Sequence, residues 1–179
     1  IFATFDEVPE AVWIGFSPTS AQLGAVADTW LSEGGDLIAE FDSVVKCGAH
    51  TLGGSRMVKA YEKAGEAGIV QLSACSRNEG VSWAQIAKAD QAWADYTAEH
   101  ELPGGIYRWG AGPGKPKDAK MDFYSVWITE SLEQHGSAWD KFREIETAAQ
   151  DMYAIYGDDN LYTCDNSRIY HGVPVGGSD

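Results

Sequence analysis

Hydrophobic positions along this chain recur at two periods, and the switches between them mark out its elements. Val12-Trp13-Ile14-Gly15-Phe16 is a short run of β-formers and predicts a strand. Thr19 with Gln22 makes a capping box, after which Leu23, Val26, Trp30, Leu37, Ile38 and Phe41 recur at helical spacing. Gly34-Gly35 kinks or breaks that helix, and residues 44–48 return as a strand. Ser55 predicts the cap of a short helix through Ala64, ended by Gly65. Residues 69–73 open the next strand. Ser82 and Gln85 form a second capping box, and Trp83, Ile86, Ala87, Trp93, Ala94 and Thr97 follow on one helix face. Pro103 and Gly104-Gly105 end this helix, and residues 106–109 run on as a strand. Glycines and prolines make residues 110–120 a loop. Residues 123–128 form a strand, and Ser137 caps a helix with Trp139, Phe142, Ile145, Ala149, Met152, Tyr153 and Tyr156 inward. Gly157 stops that helix and residues 161–164 return as the last strand. From Ser167 the chain is short of core residues and reads as an arm or frayed tail, 167–179.

Side by side, residues 11–50, 68–112 and 121–166 each read strand, long helix, strand within a single domain, 1–179. The pieces Lys46-Cys47-Gly48-Ala49 and Arg108-Trp109-Gly110-Ala111 match best, at a spacing of roughly 55–62 residues between units, which suggests duplication. The fold class is therefore α+β. Such tandem units, with long aromatic-faced helices over an antiparallel sheet, resemble the ferredoxin-like dimeric α/β-barrel group, which includes monooxygenases of the antibiotic-biosynthesis type. The resemblance implies long helices packed on one face of an antiparallel sheet. It also implies a small-molecule-binding protein or a cofactor-independent, monooxygenase-like enzyme. An odd third half-unit leaves a sheet edge that must be paired or covered, so a homo-oligomer is expected.

Composition narrows the partners. A formal net charge of −14 in 179 residues argues against nucleic acid and anionic membrane surfaces, which need basic patches. No apolar run approaches the roughly 18 residues of a membrane helix, so no membrane insertion is expected. Seven Trp and eight Tyr point to an aromatic core. The chain begins Ile1-Phe2 rather than with Met, so it is a processed form, a trimmed chain or a chain with its start missing, and its acidic, Trp- and Gly-rich composition suits a periplasmic or extracellular compartment. Cys47, Cys75 and Cys164 are odd in number and widely spaced, so one disulfide with a free thiol and three buried thiols both stay open.

The candidate chemistry is sparse. Gly110-Ala111-Gly112-Pro113-Gly114-Lys115 resembles a phosphate loop, but its outer glycines are one residue too close and Pro116 replaces the magnesium-binding hydroxyl. Cys47 and His50, with His171 or Asp165 in support, offer metal ligands. A closed zinc site needs four in a clear pattern, so no metal and no cofactor are expected. Cys47, Cys75 and Cys164 all fall in predicted strands, and none follows an elbow or sits at a helix start, so no triad is assigned; Asp158-Asp159 reads as turn chemistry. Arg56, Lys59 and Lys63 form a small basic island, read first as a solvated helix face and second as a docking surface. The helix aromatics Trp83, Trp93, Trp139, Tyr153 and Tyr156 read first as core. A pocket for a small apolar or aromatic ligand would lie between sheet and helices, lined by Trp13, Cys47, Tyr107, Trp109 and Trp127. Without a catalytic signature, the expectation is a self-assembling, structural or interaction protein.

Overall fold

The computed structural model describes residues 12–45, 51–115, 117–157 and 161–175. Contacts divide the chain into two units, Ile1–His50 and Thr51–Asp179.

The first unit holds two helices. The Thr19 hydroxyl accepts the Gln22 amide at 3.2 Å and starts α1 (Ser20–Glu33). Gly34 ends α1, its amide donating to Trp30 O at 3.0 Å, and α2 (Gly35–Val44) follows at once. A Cβ at Gly34 would stand 2.4 Å from Trp30 O, so the break needs a residue without one. The predicted interruption is thus present. The predicted strand 12–16 is not: these residues have no regular structure, because no second strand of the unit pairs with them among the described residues. Of the strand expected at 44–48, Val44 closes α2, Val45 is extended, and the remainder lies outside the described residues. Trp13 and Trp30 meet Phe41 edge-on, with centroids 5.8 and 6.3 Å apart, yet no side chain of either helix is buried.

The second unit is α+β. Its elements are β1 (Gly53–Lys59), β2 (Gly68–Arg77), α3 (Trp83–Glu99), β3 (Gly105–Ala111), β4 (Phe123–Thr129), α4 (Leu132–Glu144), α5 (Ala148–Tyr156), β5 (Tyr162–Cys164) and β6 (Arg168–Gly172). Every pairing in its six-stranded sheet is antiparallel, in the order β1-β3-β4-β2-β5, with β6 also on β2.

Three expectations change here. Residues 55–59, read as the start of a helix, belong to β1 and close the β3 edge, Ser55 opposite Trp109 and Arg56 opposite Arg108. The helix expected from Ser137 begins earlier, where the Ser131 hydroxyl accepts the Gln134 amide at 3.1 Å, and it breaks between Glu144 and Ala148. The tail at 167–179 is not frayed throughout, since β6 pairs with residues 68–72. Together β5 and β6 make one edge of β2 with a bulge at residues 165–167. There the Ala74 amide donates to Asp165 Oδ1 at 2.8 Å, and the hydroxyls of Ser73 and Ser167 lie 2.6 Å apart.

Antiparallel register sorts the side chains into two faces. On one, Arg56, Arg108, Ser125 and Ser73 stand in a row across β1, β3, β4 and β2. The helices cover this face. Ile86 of α3 packs with Cys75 and Phe123, and α4 lays His135 and Trp139 against Trp127 at 4.2 and 5.8 Å between centroids. The Ser82–Gln85 capping box of α3 is complete, with both reciprocal bonds made. The second face carries Met57, Tyr107, Val126 and Leu72 in one row and Trp109 and Tyr124 in the next. The β1–β2 connection crosses one end of it: the Tyr61 amide donates to Tyr107 OH at 3.0 Å. Gly105 permits that crossing, since a Cβ there would lie 2.5 Å from Tyr61 Cβ.

Indoles are not the common weld that the helix pattern suggests. Trp30, Trp83 and Trp139 are exposed and Trp93 is half-buried. The core under the helices is instead made of Ile86, Phe123 and Cys75, Val126 is fully buried on the other face, and Cys75 is disulfide-bonded to Cys164 directly opposite on β5.

Candidate functional site

Asp90 is the feature around which the helical side of the second unit is arranged. It follows Ile86 by one helical turn on the inward stripe of α3 and has no exposed surface. A lone buried carboxylate would be costly, and here each oxygen has a cation. Oδ1 accepts Arg108 Nη2 at 2.7 Å and Oδ2 accepts Arg56 Nη2. Arg108 is 5% exposed, and its two terminal nitrogens find further partners nearby while Nε has none. Nη1 donates to Ser125 Oγ at 2.7 Å, and Nη2 lies 3.4 Å from the hydroxyls of Tyr156 and Tyr162. Its guanidinium carbon sits 5.9 Å from the Phe123 ring and 5.8 Å from that of Tyr162, an aromatic surround suited to a weakly hydrated planar cation. Six elements, β1, α3, β3, β4, α5 and β5, therefore each send one polar side chain to a single point.

The electrostatics follow from this enclosure. Burial opposes the Arg108 cation, but Tyr162, Asp90 and Tyr156 around it more than compensate and raise its pKa. Burial pushes the phenols of Tyr156 and Tyr162 above the ordinary tyrosine value, so both keep their protons. The Asp90 carboxylate thus carries one guanidinium on each oxygen, a buried three-member ion-pair bridge. No histidine or thiol joins the cluster. The arrangement ties α3 and α5 to the sheet.

The basic island takes a different role from either one expected of it. Arg56 turns inward to Asp90, Lys59 donates to Leu102 O, and Lys63 pairs with Glu130 at 2.6 Å. Arg56 and Lys59 thus engage the body of the second unit, and Lys63 keeps an exposed surface pair.

The expected pocket lining does not meet at one place. Tyr107 and Trp109 stand on the second face of the sheet. Trp127, opposite Ile106, stands on the helix face and donates from Nε1 to Pro103 O at 3.2 Å. Trp13 belongs to the first unit and is 69% exposed. Cys47 and His50, the candidate metal ligands, lie outside the described residues. Asp165 pairs with Arg168, and His171 sits opposite Ile69 at the far end of the same strand pair. Among the described residues no three His, Cys, Asp or Glu side chains gather as a metal site would require. A hollow of about 500 Å³ between α3 and α5, lined by Asp95, Tyr96, Glu99, His100, Asp151 and neighbouring alanines, includes none of the cluster residues.

Sequence reasoning missed Asp90, Arg108 and Ser125 as site residues. A signal existed for two of them: Asp90 is a charge on an otherwise inward helical stripe, and Arg108 occupies the same strand parity as Ile106. Among the described residues no helix is long and apolar enough to cross a membrane. No protein-family model, no curated protein and no solved structure matches this chain.

Proposed function

We propose that this is a non-catalytic, self-associating protein whose second unit is a ferredoxin-like domain of the dimeric α/β-barrel type. The element series β2-α3-β3-β4-α4/α5-β5 with strand order β3-β4-β2-β5 supports that fold, with β1 and β6 as additions at its edges. In this reading two half-units, rather than three, make the domain. The occupied oxygens of Asp90 support the absence of acid–base chemistry.

One observation carries the self-association. The contacts of α3, α4 and α5 with the sheet fall on one face, while Met57, 63% exposed, and Tyr124, 37% exposed, stand on the other beside half-buried Tyr107 and Trp109 and around the buried Val126 and Leu72. Aromatic residues and Met are enriched in the cores of protein interfaces. The occupant is a second copy of this face, related by a two-fold axis. The Cys75–Cys164 disulfide supports a periplasmic or extracellular home.

Native mass at micromolar concentration, by light scattering or sedimentation, tests the reading. A dimer is expected, and Met57→Asp with Tyr124→Asp should yield folded monomers with unchanged far-ultraviolet dichroism. A monomeric parent protein overturns it.

A further inference from the structure

The first unit has a property that the self-association reading does not use. Neither of its helices buries a side chain, and Trp13 at 69% and Leu31 at 78% exposure are largely open to water. An apolar surface of this extent, centred on the ring cluster Trp13, Trp30 and Phe41, marks a place where something docks. Its charge selects the occupant. Residues 12–45 carry Asp28, Glu33, Asp36, Glu40 and Asp42, and not one Lys or Arg. At the helix break a hollow of about 470 Å³ is walled by Val26, Thr29, Trp30 and Gly34, with Glu33 at its border. It is built to take an apolar side chain or an alkyl stem whose cationic end meets a carboxylate.

We propose that the first unit is a docking arm for a cationic amphipathic helix of a partner protein, received along the Trp13–Trp30–Phe41 surface, with Glu33 at the hollow and the wider acidic charge of α1 and α2 attracting it. A groove of helices reading an amphipathic helix is a recurring recognition mode, and here the sign of that charge fixes the sign of the ligand. The same acidic charge disfavours anionic lipid and nucleic acid at this surface.

The test uses the whole chain and a synthetic amphipathic helix of leucine and lysine as probe, titrated calorimetrically at low and raised salt. The expected result is binding that weakens with salt, while a leucine–glutamate helix of the same pattern is not bound. Trp30→Ser with Phe41→Ser keeps every charge and should weaken binding at least tenfold. Glu33→Gln, Asp36→Asn and Glu40→Gln together keep every apolar contact and should do the same. Met57→Asp with Tyr124→Asp, in the second unit, should leave binding unchanged, which separates this surface from the self-association face. Failure to bind the lysine helix overturns the proposal. So does equal binding of the glutamate helix, or undiminished binding by either first-unit variant.

Discussion

Arg108 Nη2 donates to Asp90 Oδ1 at 2.7 Å across the boundary between sheet and helix, with both side chains almost wholly removed from solvent. Buried pairs of this kind are penalised more for losing one member than for losing both. Asp90→Ala should therefore lower unfolding stability by about 3–5 kcal/mol, because it strands the Arg108 cation. The double variant Asp90→Leu with Arg108→Met should lose far less. Urea unfolding of the two variants against the parent reads the difference, and equal losses for the single and double variants would contradict this account.

Tyr156 and Tyr162 give the protein an alkaline limit. Burial raises both phenols, so the native state keeps their protons where the unfolded chain releases them. Their contribution is complete below the unfolded tyrosine value of about 10 and is lost as pH rises beyond it. Tyrosinate absorbance from these two residues should appear together with unfolding rather than before it. Tyr156→Phe with Tyr162→Phe should flatten the loss of stability above that pH.

His135 sets the corresponding limit on the acid side. Its ring is buried against Trp127, and burial lowers its pKa. Above the unfolded histidine value of about 6.5 both states are neutral and nothing changes. Below it the unfolded chain binds a proton that the native state refuses, so stability falls with pH. Denaturant midpoints measured from pH 7 to pH 5 should drop more steeply for the parent than for His135→Leu.

The Cys75–Cys164 bond spans 89 residues of sequence. A loop of that length is worth about 4–5 kcal/mol in the chain-entropy account. Cys75→Ala with Cys164→Ala should lower stability by that order, read by thermal or urea unfolding. Unfolded but unreduced protein should titrate one thiol from its three cysteines.

What the sequence made legible was local. The Ser82–Gln85 box lies within one turn and depends on nothing distant, and the break at Gly34 is likewise its own signal. Residues 55–59 were misleading because Arg, Met and Lys are good helix formers. Their strand state comes from a partner about fifty residues later, Arg56 pairing with Arg108. Ser131 and Ser137 are both plausible caps, and the earlier one wins with its Gln134 partner and a Glu130 amide bonded back to Gln134 Oε1 at 2.9 Å. The Asp90 cluster stayed hidden because its members are scattered from residue 56 to residue 162 and only the tertiary fold assembles them. The pocket proposed from strand aromatics failed by parity, since neighbours such as Tyr107 and Ile106 point to opposite sides of the sheet.

The border strand formed by β5 and β6 fixes where the folding unit stops. A chain cut after Ser167 would look intact by every hydrophobic criterion, yet it would strip the residues facing Gly68 to Leu72 and leave that side of a central strand with open amides and carbonyls. The disulfide at Cys164 would survive such a cut and still tether the shortened end, so a truncated product could stay covalently correct while its newly bare edge recruits other chains into aggregates.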